Sequence, residues 1–165
     1  MKNLYELYCE KTSLWKDKKL FDNSITYGES FSLMKKRGAF LLSKGYRQGD
    51  VIAILAANGS DWCMTYMAIT ACGMIVLPLD TNLSPANYAE YMGLVGAKAV
   101  FVSDEYRDKV NTVPVFDIGM DTNVADENLF VPGDAEYKDI ASYVFTSGTT
   151  GVPKIVMLTH ENIIT

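Results

Sequence analysis

Three short runs of consecutive apolar residues alternate with helix-like segments between residues 51 and 102. The runs are 51–55, 74–77 and 99–102, and none of them contains a charged residue. A strand that is apolar on both faces is typical of a parallel sheet with helices packed on each side. Parallel neighbours also need crossover connections, which are nearly always right-handed. The alternation therefore predicts an α/β fold with a mostly parallel sheet of repeated βαβ units and flanking helices.

The predicted helices begin and end at recognisable residues. Thr26 and Glu29 have the spacing of a capping box at the start of a helix. Ser84 followed by Pro85 marks a second helix start, because the serine oxygen accepts an orphan amide and proline has none, and Gly96 ends that helix. The other predicted elements are helices over 4–11, 29–44 and 60–72, a short helix from about residue 103, and strands over 24–27 and 113–116.

The length and the charge exclude several classes of protein. The 165 residues suffice for one ordinary domain or two small ones, and 48% of them are hydrophobic. Fifteen Lys and Arg against twenty Asp and Glu give a net charge of −5. Nucleic-acid binding needs clustered basic residues, so nucleic acid is not an expected partner.

Acidic residues concentrate between residues 104 and 139, where ten of the twenty occur. We interpret this stretch as solvated and rich in loops, with an acidic docking surface as the alternative. Periodicity fails over 117–139, where glycine and proline are scattered. We therefore predict an α/β sheet unit over 1–116, an acidic linker over 117–139 and a truncated strand-loop-strand unit over 140–165.

Three cysteines, Cys9, Cys63 and Cys72, occur without a CxxC pair and with only one histidine in the chain. This is not the ligand spacing of a zinc site, so no protein-bound metal is expected. Free cysteines in apolar surroundings favour a reducing compartment. The expected localisation is therefore cytoplasmic.

The N-terminus and the uncharged stretch 62–79 are the two segments that could carry a targeting or membrane signal. Glu6 precedes any apolar run, which is not the pattern of a signal peptide. Residues 62–79 carry no charge, but Gly73 and Pro78 interrupt them. A buried helix followed by a buried strand is therefore predicted there, and no transmembrane segment.

A loop rich in glycine and hydroxyl groups lies between two β-prone runs, 143–145 and 155–158. Residues 146–154 read Thr-Ser-Gly-Thr-Thr-Gly-Val-Pro-Lys. Glycines let backbone amides approach a ligand, hydroxyls supply hydrogen bonds and Lys154 supplies a positive charge, which together suit a polyphosphate. Composition alone leaves open a hydroxyl-rich hairpin turn. Because Pro153 precedes the lysine and a β-prone run follows, the loop is not a Walker A motif.

The loop and its surroundings resemble a signature of the adenylate-forming acyl-CoA synthetases, also called AMP-dependent synthetases and ligases. The signature reads Tyr-x-x-Thr-Ser-Gly-Thr-Thr-Gly-x-Pro-Lys-Gly-Val-x-x-Thr-His-x-Asn, and residues 143–162 follow it closely. Residues 49–55, 68–73 and 78–80 are similar to the family's N-terminal pattern. The departure is Ile155, where the family usually has glycine, and it bears on how closely the lysine approaches the phosphates.

The resemblance implies a two-step reaction. A carboxylate attacks the α-phosphate of MgATP and releases pyrophosphate, and a thiol, usually that of coenzyme A, then captures the acyl-adenylate. The implied substrates and cofactors are ATP, Mg²⁺, coenzyme A and a carboxylic acid, which we expect to be a fatty acid. The oligomeric state is left open.

The resemblance also assigns residues to the β- and γ-phosphates of ATP. Lys154 is expected to be the catalytic charge on these phosphates. The other expected contacts are the hydroxyls of Thr146, Ser147, Thr149 and Thr150 and the backbone at Gly148 and Gly151. Thr159 is a predicted N-cap for a helix that begins at His160, whose imidazole either faces the ligand or satisfies loop carbonyls.

In the family, the adenine- and acyl-binding motifs lie downstream of the segment that this chain resembles. We therefore expect an N-terminal piece of a longer enzyme that is inactive by itself. Two alternatives remain open at this point. One is an amino-acid or aryl-acid adenylation domain that delivers to a carrier protein, and the other is a non-catalytic binding module with a vestigial loop.

Overall fold

A computed structural model describes residues 1–20, 25–120, 125–146 and 153–165 and contains five α-helices and eight β-strands within them. The helices are α1 Leu4–Trp15, α2 Tyr27–Ser43, α3 Ser60–Ala71, α4 Pro85–Val95 and α5 His160–Ile164. The strands are β1 Lys19–Leu20, β2 Ile25–Thr26, β3 Val51–Leu55, β4 Ile75–Pro78, β5 Ala99–Val102, β6 Val115–Asp117, β7 Ile140–Thr146 and β8 Lys154–Thr159. Short 3₁₀ helices span Asp104–Lys109 and Glu127–Leu129.

Six of the strands form one sheet in the order β6-β5-β3-β4-β7-β8. Every neighbouring pair is parallel except β7 and β8, which pair antiparallel. β1 and β2 form a separate antiparallel pair. The predicted α/β class with a mostly parallel sheet is therefore confirmed.

The central strand β3 is buried along its whole length and separates two apolar layers. On one face, Ile52 and Ile54 pack in a cluster with Ile69 of α3. On the other face, Val51, Ala53 and Leu55 pack in a cluster with Tyr88 and Met92 of α4. The crossover from β3 to β4 therefore covers one face, and the crossover from β4 to β5 covers the other.

The helix boundaries follow the signals in the sequence. The Thr26 hydroxyl accepts from the Glu29 N–H at 3.1 Å, and the Glu29 carboxylate accepts from the Thr26 N–H at 2.6 Å, which completes the predicted capping box. Ser84 caps α4, and Gly96 ends it with a left-handed φ of 64°. α1 runs further than the predicted 4–11, because Trp15 at its end packs against Tyr27 with ring centroids 5.5 Å apart.

Two predicted strands are displaced along the chain. β4 begins at Ile75, one residue later than expected, and β6 covers Val115–Asp117 instead of 113–116. Proline has no N–H to donate, so Pro114 contributes only its carbonyl, which accepts from the Val100 N–H at 3.0 Å. Regular pairing with β5 therefore starts after Pro114.

The described part of the predicted linker packs against the sheet unit. Phe130 lies over Gly38 of α2 and contacts Tyr5 of α1 with ring centroids 5.7 Å apart. The Gly133 N–H donates to the Ala71 carbonyl at the end of α3 at 2.8 Å. β7, which follows this segment, belongs to the same sheet as β3 and β4. The division of the chain at residues 117 and 139 stays a prediction.

The hairpin β7–β8 is tied at its base to the start of α1. His160 follows β8 and is 1% exposed, and its Nδ1 accepts from the Leu4 N–H at 3.2 Å. The backbone N–H of His160 donates to the Asp139 carbonyl at 3.0 Å. Asn3, at the other side of this junction, donates from Nδ2 to the Ala135 carbonyl at 2.6 Å. Both ends of the described chain therefore meet at one buried polar junction.

The close approach of Phe130 to α2 gives a first prediction. A Cβ on Gly38 would lie 2.6 Å from Phe130 Cδ2, whereas a Cβ on the helical Gly93 would meet nothing within 4 Å. Gly38→Ala should therefore lower the free energy of unfolding by about 1–3 kcal/mol through overpacking. Gly93→Ala, the matched control, should raise it by about 0.5–1 kcal/mol through helix propensity. Urea unfolding measures both values, and a shift in the same direction for both variants would contradict this packing.

The buried junction gives a second prediction, on pH. Burial lowers the pKa of His160 below its ordinary value, and the Asp139 carboxylate opposes this shift. As the pH is lowered below about 6.5, His160 therefore becomes protonated in the unfolded chain but not in the folded chain. The free energy of unfolding then falls by up to about 1.4 kcal/mol per pH unit until the folded pKa is reached. Above about pH 6.5, His160 is neutral in both the folded and the unfolded chain, so the full stability should be retained.

The chain has a single histidine, so the effect can be assigned to one group. Urea unfolding of the protein and of His160→Gln between pH 7.5 and pH 5.5 should show a steep loss in the former and a flatter curve in the latter. Parallel curves for the two proteins would rule out His160 as the titrating group.

Candidate functional site

A cleft of about 810 Å³ opens at the carboxyl ends of β3, β4 and β7. Its walls are the segments that follow β3 and β4, one side of α3 and α4, and the end of β7. Because the chain leaves β3 toward one face and β4 toward the other, the two connections diverge and leave a crevice. Ligands of open α/β sheets bind at such a switch point.

The hairpin β7–β8 brings two predicted site residues to this edge. Thr146 at the end of β7 pairs directly with Lys154 at the start of β8, in the last pair of the antiparallel ladder. Both residues are exposed, and Thr146 lines the cleft. The structure therefore confirms the two predicted strands on either side of residues 147–152.

The other predicted phosphate contacts lie between these two residues. Ser147, Gly148, Thr149, Thr150 and Gly151 lie outside the described residues. Their roles as hydroxyl contacts and backbone cradle stay predictions. Only the first and last members of the predicted set, Thr146 and Lys154, have an observed position.

Among the described residues, no carboxylate lies within 4.0 Å of the Lys154 ammonium to form an ion pair. The acidic side chain on the cleft wall is Asp80, which caps the turn after β4 by accepting from the Asn82 N–H at 2.9 Å. The exposed ammonium of Lys154 can therefore meet an anion from solution.

Ile155, the departure from the family's glycine, lies within the ladder. It pairs with Phe145 and is 39% exposed. β-branched side chains fit pleated, half-exposed strands well. Glycine is therefore not required by the backbone conformation at this position.

Aromatic side chains form a wall of the cleft that sequence reasoning did not assign to a site. Tyr91 of α4 stacks on Phe145 of β7 with ring centroids 4.1 Å apart. Trp62 of α3 also lines the cleft and stacks on Tyr66 at 5.3 Å. The available signal was that Trp62 lies in the first turn of the helix after β3 and Phe145 lies near the carboxyl end of β7.

His160 lies at the opposite end of β8 from Lys154. Six residues of strand separate the two positions by about 20 Å. Its Nδ1 already accepts the Leu4 N–H. Of the two roles left open by the sequence, this geometry supports the structural one.

Residues 1–20, 25–120, 125–146 and 153–165 contain neither a membrane-spanning helix nor a cluster of metal ligands. No helix in these ranges has the length and apolar character needed to cross a membrane. No three His, Cys, Asp or Glu side chains in them come together as a metal site. Cys9, Cys63 and Cys72 are free thiols.

Curated proteins similar to this chain include several CoA ligases. The 4-coumarate–CoA ligase 3 of Arabidopsis thaliana is 29% identical, over 96% of this chain and 32% of its own length. A medium/long-chain-fatty-acid–CoA ligase of Mycobacterium tuberculosis is 27% identical, over 87% of this chain and 26% of its own length. The chain thus spans about a third or less of the length of these relatives.

A solved structure has the same fold. The N-terminal subdomain of Klebsiella oxytoca NpsA, in complex with 3-hydroxybenzoyl-AMSN, superimposes with a TM-score of 0.84 at 21% identity, over 97% of this chain and 41% of that chain. The family model described as AMP-binding enzyme matches residues 6–165. Since that match covers nearly the whole sequence and includes the hairpin and its loop, the chain belongs to the AMP-binding enzyme family, and the resemblance to adenylate-forming acyl-CoA synthetases and ligases is confirmed.

Proposed function

We propose that this chain is the N-terminal part of an acid–thiol ligase. The enzyme would activate a carboxylic acid with ATP to an acyl-adenylate and pyrophosphate, and would then form the thioester of coenzyme A. The observation that carries the proposal is that Thr146, which lines the cleft, pairs with Lys154 in the last pair of the β7–β8 ladder. The 165 residues alone would be inactive, because most of the length of the relatives is not represented in them.

Charge neutralisation is the task proposed for the loop. A carboxylate and a polyphosphate repel each other, so attack on the α-phosphate needs positive charge and donors aimed at the phosphate oxygens. The Lys154 ammonium would take the β- and γ-phosphates, and the Thr146 hydroxyl would donate to them. The proposed further contacts are the hydroxyls of Ser147, Thr149 and Thr150 and the backbone at Gly148 and Gly151.

The same contacts would stabilise pyrophosphate as it leaves. Negative charge grows on the β-phosphate when the bond to the α-phosphate breaks, and preorganised donors stabilise developing charge without reorganising. Mg²⁺ would enter as part of MgATP, bound to the phosphates of the substrate. Its charge would add to that of Lys154.

The cleft would hold the organic part of a bound substrate. Its volume falls within the range of about 300–1,000 Å³ that is typical of small-molecule sites. Its lining combines aromatic and apolar side chains with a few polar ones, which are those of Asn58, Asp80, Thr81 and Thr146. Apolar walls with a few polar groups suit a largely apolar acid.

The substrate class we propose is a fatty acid, which the similarity to a fatty-acid ligase supports. A second candidate is an aryl acid or amino acid, with a carrier protein as the acceptor. The similarity to a 4-coumarate ligase favours the aryl acid. We also propose a cytoplasmic location, which the three free cysteines support.

Exchange of labelled pyrophosphate into ATP tests the first half-reaction. The complete gene product should catalyse exchange only when a carboxylic acid is present, and fatty acids of different chain lengths can be compared with 4-coumarate and with amino acids. A protein that gives no exchange with any acid would overturn the proposed function. A preference for aryl or amino acids would select the second candidate.

Lys154→Ala tests the loop within the same assay. Loss of a charged hydrogen bond of about 1.5–3 kcal/mol should raise the ATP concentration for half-maximal exchange about ten- to hundredfold. Lys44→Ala is the matched control, because Lys44 is an exposed lysine at the C-cap of α2 and contacts the Phe40 ring. An equal ATP requirement in both variants would remove the proposed role of Lys154.

A further inference from the structure

The hairpin β7–β8 joins the parallel sheet through a short backbone ladder. Within the described residues, β7 pairs with β4 at one position, Val76 with Ser142, whereas β3 and β4 share four pairs. β7 also shifts its register against β8 between Ile140 and Ser142. A bulge of this kind re-aims a strand and interrupts its pairing. The position of the hairpin therefore depends on more than backbone hydrogen bonds.

Ser142 supplies a side-chain connection at this one point. It is 1% exposed, and its hydroxyl donates to the Val76 carbonyl at 3.1 Å. Burial raises the pKa of the Tyr66 phenol on α3, and an interaction with the same hydroxyl opposes this rise. The Ser142 side chain therefore bonds β4 and lies beside the Tyr66 phenol of α3.

The connection continues from Ser142 to the cleft. Tyr66 stacks on Trp62 with ring planes 21° apart, and Trp62 lines the cleft. In the other direction, Ser142 and Thr146 lie on the same face of β7, about 13 Å apart. One buried hydroxyl therefore links the central sheet, a wall of the cleft and the strand that leads to the loop.

We propose that Ser142 is a positioning residue for the phosphate-binding hairpin. Its hydroxyl fixes β7 against β4 and α3, and so sets where Thr146 and Lys154 lie relative to the cleft. The effect on ATP rests on the proposed function, whereas the effect on the hairpin itself does not. Ser142 touches no substrate in this account.

Amide hydrogen exchange of the full chain tests the effect on the hairpin. Ser142→Ala should speed exchange of amides in β7 and β8 about three- to tenfold, the loss that corresponds to one buried hydrogen bond. Ser30→Ala is the matched control, because Ser30 is also fully buried and its hydroxyl donates to the Tyr27 carbonyl at 2.8 Å and shares a hydrogen bond with the Tyr8 hydroxyl of α1. The control should change exchange in α1 and α2 and leave β7 and β8 as they are. Equal exchange of the hairpin in both variants would overturn the proposal.

ATP dependence of pyrophosphate exchange gives the second measurement. Ser142→Ala should raise the KM for ATP about three- to tenfold with a smaller change in kcat. Tyr66→Phe should give part of this rise, and the double variant should show less than the product of the two single effects, because both remove one network. A KM that rises equally in Ser30→Ala would show a general loss of stability and overturn the proposal.

The two measurements separate the two claims. If the protein gives no pyrophosphate exchange with any acid, the proposed function fails. Hydrogen exchange then decides the positioning role of Ser142 by itself.

Discussion

Burial of β3 on both of its faces is the constraint on which the rest of the structure depends. Five consecutive apolar residues cannot remain in water, so α3 must cover one face and α4 the other. Right-handed crossovers then send the chain in opposite directions after β3 and β4. The crevice at their carboxyl ends follows from this geometry, and any functional loop placed at that edge opens onto it.

The antiparallel pair β7–β8 reaches this same edge of the sheet. β7 runs parallel to β4 and β8 runs antiparallel to β7, so the end of β7 and the start of β8 lie at the carboxyl ends of the parallel strands. A Walker A loop relies on the N-terminus of a following helix for much of its positive potential. Here the paired strands set the ends of the loop, and the ammonium of Lys154 supplies full charge at the point where the second strand begins.

Local patterns predicted the elements well because each depends on near neighbours. Apolar runs placed β3 and β5, the capping box placed α2, and Ser84 with Pro85 placed α4. Two β-prone runs also predicted the strands that end at Thr146 and begin at Lys154. Proline's missing donor explains the displaced start of β6, which an apolar pattern does not show.

Contacts between residues far apart in the sequence could not be predicted from local patterns. The hydrogen bond from the Leu4 N–H to His160 joins the two ends of the described chain, and Phe130 packs on Gly38 from within a segment without periodicity. Ser142 likewise reads as one polar residue in a β-prone run. Its two partners belong to β4 and α3, and only the folded sheet brings them together.

The central claim is that the end of the hairpin binds phosphate beside the cleft. Titration of the isotopically labelled protein with pyrophosphate, followed by backbone amide chemical shifts, tests it most directly. The largest changes should occur at Thr146 and Lys154 and extend to Asp80 and Thr81 on the cleft wall. Chemical-shift changes that leave these residues unaffected and cluster around Asp50 and Lys98, at the amino ends of β3 and β5, would contradict the account.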